Sequence, residues 1–273
     1  MIVEFSTSFQ YKSEKDINMA EKIFVQDKLT VKKYDTRAEM GAAAAAHAGA
    51  IIKELLSKKE SISVIFAAAP SQNEILAGLV ADKEIDWTRV NAFHMDEYVG
   101  LDAAAPQRFG NFLANAIFAK VPFKSVNYIN GNAADIDAEC ARYGKLLADA
   151  KVDLVCMGIG ENGHIAFNDP HVADFEDKVA VKKVELDEKC RNQQVNDGCF
   201  AKLSDVPTHA LTLTIPTLVN VDYIVCTVPA ATKAEAVYNM VNADITPAVP
   251  CTILRRHNNA TAFIDGDSGA LLK

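Results

Sequence analysis

Hydrophobic and polar positions along the chain follow two periods that take turns. From Thr36 to Leu56 apolar residues recur at helical spacing, behind a threonine suited to capping. Ser61 to Ala68 (SISVIFAA) is a short β-branched run that predicts a strand. The turn Ala69-Pro70-Ser71-Gln72-Asn73 then leads into a helical segment, Glu74 to Val80. Arg89 to His94 predicts a strand, Arg108 to Ala119 a helix, Val126 to Ile129 a strand and Ile136 to Ala150 a helix. Val152 to Met157, Ala210 to Ile215, Tyr223 to Val228 and Ala260 to Ile264 read as further strands, and Thr232 to Val241 as a helix. Strands alternating with helices argue for an α/β fold with a mostly parallel sheet. The first thirty or so residues are polar and weakly patterned, which predicts an N-terminal arm or an edge element. With no low-complexity linker and no repeat, residues 1–273 read as one domain. The run GAAAAAHAGA within the first helix is explained by helix propensity and tight packing.

In such folds ligands bind beyond the carboxyl ends of the strands. Polar clusters fall there. SISVIFAA leads to APSQ, RVNAFH to MDEY, VDLVCM to GIGENGH and YIVCTV to PAATK. Four clusters after four strands are expected to converge on one cleft.

Charge narrows the partners. The formal net charge is −8 and no block of Lys or Arg stands out, which argues against nucleic acid and anionic membrane surfaces. No segment reaches the ~20 apolar residues of a membrane span. The N-terminus has no apolar core of signal-peptide length, and none of the six cysteines forms a C-x-x-C pair. Free thiols in a reducing, cytoplasmic compartment are the expectation. Whether copies associate into a homo-oligomer is left open.

GIGENG after the strand Val152 to Met157 has the G-x-G-x-x-G spacing of a dinucleotide loop. That loop should open a helix, yet Gly163 is followed by His-Ile-Ala-Phe-Asn-Asp-Pro, and Pro170 would break one. Glu185 lies about where a ribose-binding acid would, so that criterion leaves the nucleotide open. The glycines, Gly160 and Gly163 among them, better suit a sharp turn that approaches a ligand. Asn162, His164 and Asp169 then share one loop. Histidine suits proton transfer near neutral pH and a carboxylate can orient it, but spacing alone equally allows a structural turn. Asp96 and Glu97 follow a strand, where neighbours point to opposite sides, so one can face a cleft while the other is tied down, but the pair equally fits a solvated acidic turn. Lys233 stands at a predicted helix start, a setting suited to phosphate, although by itself it reads as well as an ordinary surface lysine. No His, Cys or acid cluster has metal-ligand spacing, so no metal or cofactor is expected.

Taken together, FHMDEYVGL, MGIGENGHIAFNDP, HALTLTIPTL and VPAATKAEAV resemble the glucosamine-6-phosphate deaminase/isomerase family, from about Ser61 to the C-terminus. The resemblance implies a Rossmann-like α/β fold and conversion of a phosphorylated amino sugar to a ketose phosphate plus ammonia. By motif, Asp96 matches the acid that moves a proton between C2 and C1. His164 matches the ring-opening histidine, Asp169 its acid and Lys233 a phosphate contact. Asn162 stands where relatives carry a carboxylate, and Asp169 replaces a glutamate. The phosphate loop lacks glycine, leaving Ser71 and Gln72 as donors. Arg191 is the candidate for the phosphate-binding arginine. With Glu97, Gly160 and Gly163 these complete the expected substrate contacts. Two other functions stay open: a 6-phosphogluconolactonase-like hydrolase, and a sugar-phosphate sensor without turnover.

Overall fold

The computed structural model describes residues 22–272. The expected arm is therefore seen only in part, and residues 1–21 lie outside the described residues. Residues Lys22–Gln26 (β1) and Leu29–Lys33 (β2) form an antiparallel hairpin turning at Asp27, whose φ of 52° is left-handed. Arg37–Lys58 is α1, capped by Thr36, whose side chain accepts from the Glu39 amide. Ile62–Phe66 is β3. A tight turn at Pro70–Gln72 opens α2, Asn73–Ala81. Then come Val90–His94 (β4), Asp96–Tyr98 (β5), Phe109–Leu113 (α3, continued by a π turn to Phe118), Ser125–Asn127 (β6) and Ile136–Ala150 (α4). The rest comprises Leu154–Met157 (β7), Val181–Glu185 (β8), Glu188–Asn196 (α5), His209–Leu213 (β9), Ile215–Val219 (α6), Tyr223–Val228 (β10), Ala234–Asn242 (α7) and Ala260–Ile264 (β11).

Eight strands make one sheet in the order β1-β2-β11-β10-β7-β3-β4-β6, parallel throughout except for β1. Its central strands are buried at nearly every position, and mostly apolar, because helices cover both faces. Val64, Phe66, Leu154 and Cys156 pack into the core under α1 and α2, while Ile65, Val155 and Met157 point to the opposite core under α4 and α7. Each such side chain fully buried contributes roughly 1.5–3 kcal/mol. The fold is α/β with a mostly parallel sheet flanked by helices, as the patterning predicts.

A second, antiparallel sheet orders β5-β9-β8. The strand expected at Ala210 to Ile215 belongs here rather than to the large sheet. Its register pairs Asp96 with Thr212. Thr212 Oγ1 accepts from the Phe167 amide at 3.0 Å, and Asn168 Nδ2 donates to the Leu213 carbonyl at 2.8 Å. The small sheet thus clamps the loop after β7 beside Asp96.

Candidate active site

The loops after β3, β4, β7 and β10 meet in one cleft lined by Ser71, Gln72, Asp96, Gly160, His164 and Lys233, among others. The four clusters read from the sequence therefore converge. Asn162 and Asp169 stand directly behind the lining.

Asp96 is 7% exposed and lines the cleft. Burial, with the Glu97 charge beside it, pushes its carboxyl well above the ordinary aspartate range. Its backbone is held by His94. The Ile129 amide donates to His94 Nε2 at 2.9 Å, so Nδ1 carries the proton and donates to the Asp96 carbonyl at 2.8 Å. Burial lowers His94 to about 4, which keeps this tautomer neutral. Glu97 points the other way. It accepts from the Tyr98, Phe109 and Gly110 amides at 2.9, 3.1 and 3.0 Å, and so holds the N-terminus of α3. Glu97, expected among the substrate contacts, therefore does not line the cleft.

The loop after β7 opens no helix. It closes on itself through a bridge between Ile165 and Asn168. The Gly160 amide donates to the His164 carbonyl at 2.9 Å, and a Cβ on Gly160 would lie 2.1 Å from His164 Cε1. Glycine there makes room for the imidazole. Gly163, also expected among the substrate contacts, does not line the cleft; its φ of +82° and the nearness of Cys251 and Val249 to a Cβ there make it a turn glycine. Ala166, which lines the cleft, also sits at a positive φ of 49°, and Ala230 in the loop after β10 at 83°. Left-handed alanines concentrated at a cleft are strained backbone of the kind found at functional sites.

His164 Nδ1 stands 2.9 Å from Asp169 Oδ1. Asn162 braces both, accepting from the His164 amide at 3.0 Å and donating to Asp169 Oδ1 at 2.8 Å. Burial would raise Asp169, but His164, Asn162 and Cys190 around it hold its carboxyl below the ordinary range. Two acids of one cleft are thus driven apart, Asp96 upward and Asp169 downward.

At the far end Gln72 Nε2 donates to Ser71 Oγ at 3.2 Å, just before α2. Lys233 precedes α7 and is 5% exposed, and its Nζ has no hydrogen-bond partner among the described residues. Burial lowers its pKa, against the opposing charges of Asp197 and Glu161. Arg37, unpredicted, also lines the cleft, but its guanidinium is committed to Glu74 at 2.8 and 3.0 Å. Arg191 does not reach the cleft. It donates to the Leu203 and Val206 carbonyls at 2.8 and 2.9 Å and ties down the following loop. Gln193, Gln194 and Asp197 line the cleft in its place. The polar helix α5, which carries Gln193 and Gln194 and ends just before Asp197, has no periodic signal that could have flagged them.

The sequence pattern of the family described as Glucosamine-6-phosphate isomerases/6-phosphogluconolactonase matches residues 35–263, which span all four cleft loops. The chain belongs to this family. It is 38% identical over 216 residues to a glucosamine-6-phosphate deaminase of an Exiguobacterium species, covering 79% of this chain and 83% of that one. A Bacillus cereus glucosamine-6-phosphate deaminase is 36% identical over 221 residues, covering 81% and 82%. Among solved structures, a monomeric glucosamine-6-phosphate deaminase superposes with a TM-score of 0.80 at 28% identity, covering 88% of this chain and 99% of that one. The 6-phosphogluconolactonase of Thermotoga maritima shares the fold, with a TM-score of 0.72 at 18% identity over 87% of this chain and 100% of that one. All six cysteines are free, and no described helix is long and apolar enough to cross a membrane.

Proposed function

We propose that the chain converts glucosamine-6-phosphate, or a closely related hexosamine phosphate, to a ketose phosphate with release of ammonia. The observation that carries this reading is Asp96, a buried carboxylate with a raised pKa in the same cleft as the His164–Asp169 pair and a free cation. The sugar's phosphate would take hydrogen bonds from Ser71 and Gln72, at the start of α2, and the Lys233 ammonium. His164, oriented by Asp169, shuttles the proton that moves when the ring opens between the anomeric hydroxyl and the ring oxygen. Asp96 then removes the C2 proton, giving an enolamine, and returns it to C1. The resulting C2 imine takes up water and expels ammonia, leaving the ketose. A carboxylate whose pKa lies well above the ordinary range is a stronger base and a more willing returning acid than an exposed one.

The hydrolase alternative gives Asp96 nothing to do, since opening a lactone needs no base at C2. Ammonia release from glucosamine-6-phosphate by the purified chain tests the reading. Asp96→Asn is expected to lower kcat by about 10²–10⁴-fold with the fold intact. Full activity in that variant would remove Asp96 from the mechanism, and lactone hydrolysis without ammonia release would replace the reading altogether.

A further inference from the structure

Chain spacing offers no metal motif, but the fold brings His164, Asp169 and Cys190 together. One ligand atom from each lies within 4.8 Å of the others, and all three residues are buried. Cys190 comes from the first turn of α5, which Asp187 caps by accepting from the Cys190 amide at 2.6 Å. Two atoms of the cluster are unsatisfied. Neither His164 Nδ1, 2.9 Å from Asp169 Oδ1, nor Asp169 Oδ2 makes a hydrogen bond of good geometry among the described residues. A buried nitrogen and a buried carboxylate oxygen left open, with a sulfur beside them, form a donor set suited to a borderline-soft ion.

We infer that His164, Asp169 and Cys190 form a binding site for a late divalent metal ion of the zinc class, and that its occupation switches the cleft off. Zn–S and Zn–O or Zn–N bonds of about 2.3 and 2.0–2.2 Å hold two tetrahedral ligands of one ion roughly 3.3–3.6 Å apart, so ligand atoms now within 4.8 Å of one another need to close by about 1.5 Å at most. Imidazole, carboxylate and thiolate together favour zinc or cobalt over magnesium or calcium. On binding, the Cys190 thiol gives its proton to solvent and the thiolate takes the metal. The second acidic cluster, Asp169 with His171 and Asp187, is less buried and has no sulfur. The inhibitory consequence rests on the proposed function, because the ion would take Asp169 and the ring away from proton transfer. The binding itself does not.

The test separates the two. Chelator-treated full-length protein is titrated with Co²⁺. The expected result is a thiolate-to-cobalt charge-transfer band in the near ultraviolet that saturates at one equivalent and is lost in Cys190→Ser and Cys190→Ala. Circular dichroism and melting confirm that both variants fold. No band in the wild type, or a band that survives in both folded variants, overturns the site. In the activity arm, Zn²⁺ should inhibit ammonia release reversibly to chelator, with at least ~10-fold weaker inhibition in Cys190→Ser. Inhibition is read as the ratio of activity with and without Zn²⁺, so a change in basal rate cancels. Equal inhibition of wild type and variant overturns the switch. If the chain releases no ammonia at all, the cobalt band still decides the site while the functional reading fails alone.

Discussion

At Asn162 the sequence departs from the pattern it resembles, and the neighbours supply a reason. Asn162 Nδ2 lies 2.8 Å from Asp169 and 3.4 Å from Asp187. A third carboxylate there would face two others across a partly buried gap, whereas an amide donates to them. Asn162→Asp should therefore lower Tm at pH 8, and Asn162→Asp with Asp187→Asn should recover part of the loss, because one of the two facing carboxylates is gone while asparagine still caps α5. A thermodynamic cycle over the four proteins should give about 0.5–3 kcal/mol of coupling, and additivity would break the argument. The two cleft acids give opposite pH signatures. Asp96 has a raised folded pKa, so its contribution to stability is present below the ordinary aspartate pKa and is lost as pH rises through the folded value. Asp169 has a depressed one, so its contribution is present above the ordinary value and is lost as pH falls through the folded value. Asp96→Asn should then melt higher than wild type at pH 8, the gap closing toward acid. Asp169→Asn should melt lower at pH 8, its gap also closing toward acid. Melting curves from pH 3 to 8 check both signs.

Elements were legible where one face or both were apolar, and illegible where neither was. The strands Tyr223–Val228 and Ala260–Ile264 and the helix Ile136–Ala150 occur at the residues the patterning predicts. The helix α5 escapes the pattern because it is polar on nearly all sides and buries only Cys190, Gln193 and Gln194. The strands β5 and β8 escape it because one has three residues and the other interleaves lysines. The misplaced Arg191 and the missed Asp197 both follow from not seeing α5. In contrast, the small residues of α1 are legible once α2 is known. A Cβ on Gly41 would lie 2.2 Å from Glu74 Cβ, and one on Gly78 2.4 Å from Ala45 Cβ. Gly41→Ala gains at most ~1 kcal/mol of helix propensity against ~1–3 kcal/mol of overpacking, so net destabilisation is expected in urea unfolding. Because α2 begins just after Ser71 and Gln72, the same variant should raise KM more than it lowers kcat. An unchanged KM would show that α2 does not set the far end of the cleft.

For the whole molecule, strand order explains why the cleft is where it is. From β7 the chain runs outward to β10 and β11 on one side, while β3, β4 and β6 run outward on the other. The loops on either side of that divide separate, and a crevice opens at the carboxyl ends of the strands. Charge at this scale opposes the proposed substrate. The chain carries a formal −8, and the sugar phosphate is itself an anion. Most charged side chains among the described residues lie outside the buried core and are screened over a Debye length of about 10 Å at 0.1 M salt, whereas the buried Lys233 is screened much less. Adding salt should therefore weaken the repulsion more than the attraction. The expected outcome is a kcat/KM that rises as NaCl is increased from a few millimolar to about 0.1 M and then levels off. A steady fall over the same range would mean that exposed cations, rather than Lys233 and the start of α2, draw the anion in. Lys233→Met separates the contributions: it should cost at least tenfold in KM, about 1.4 kcal/mol, while leaving the upward salt dependence in place.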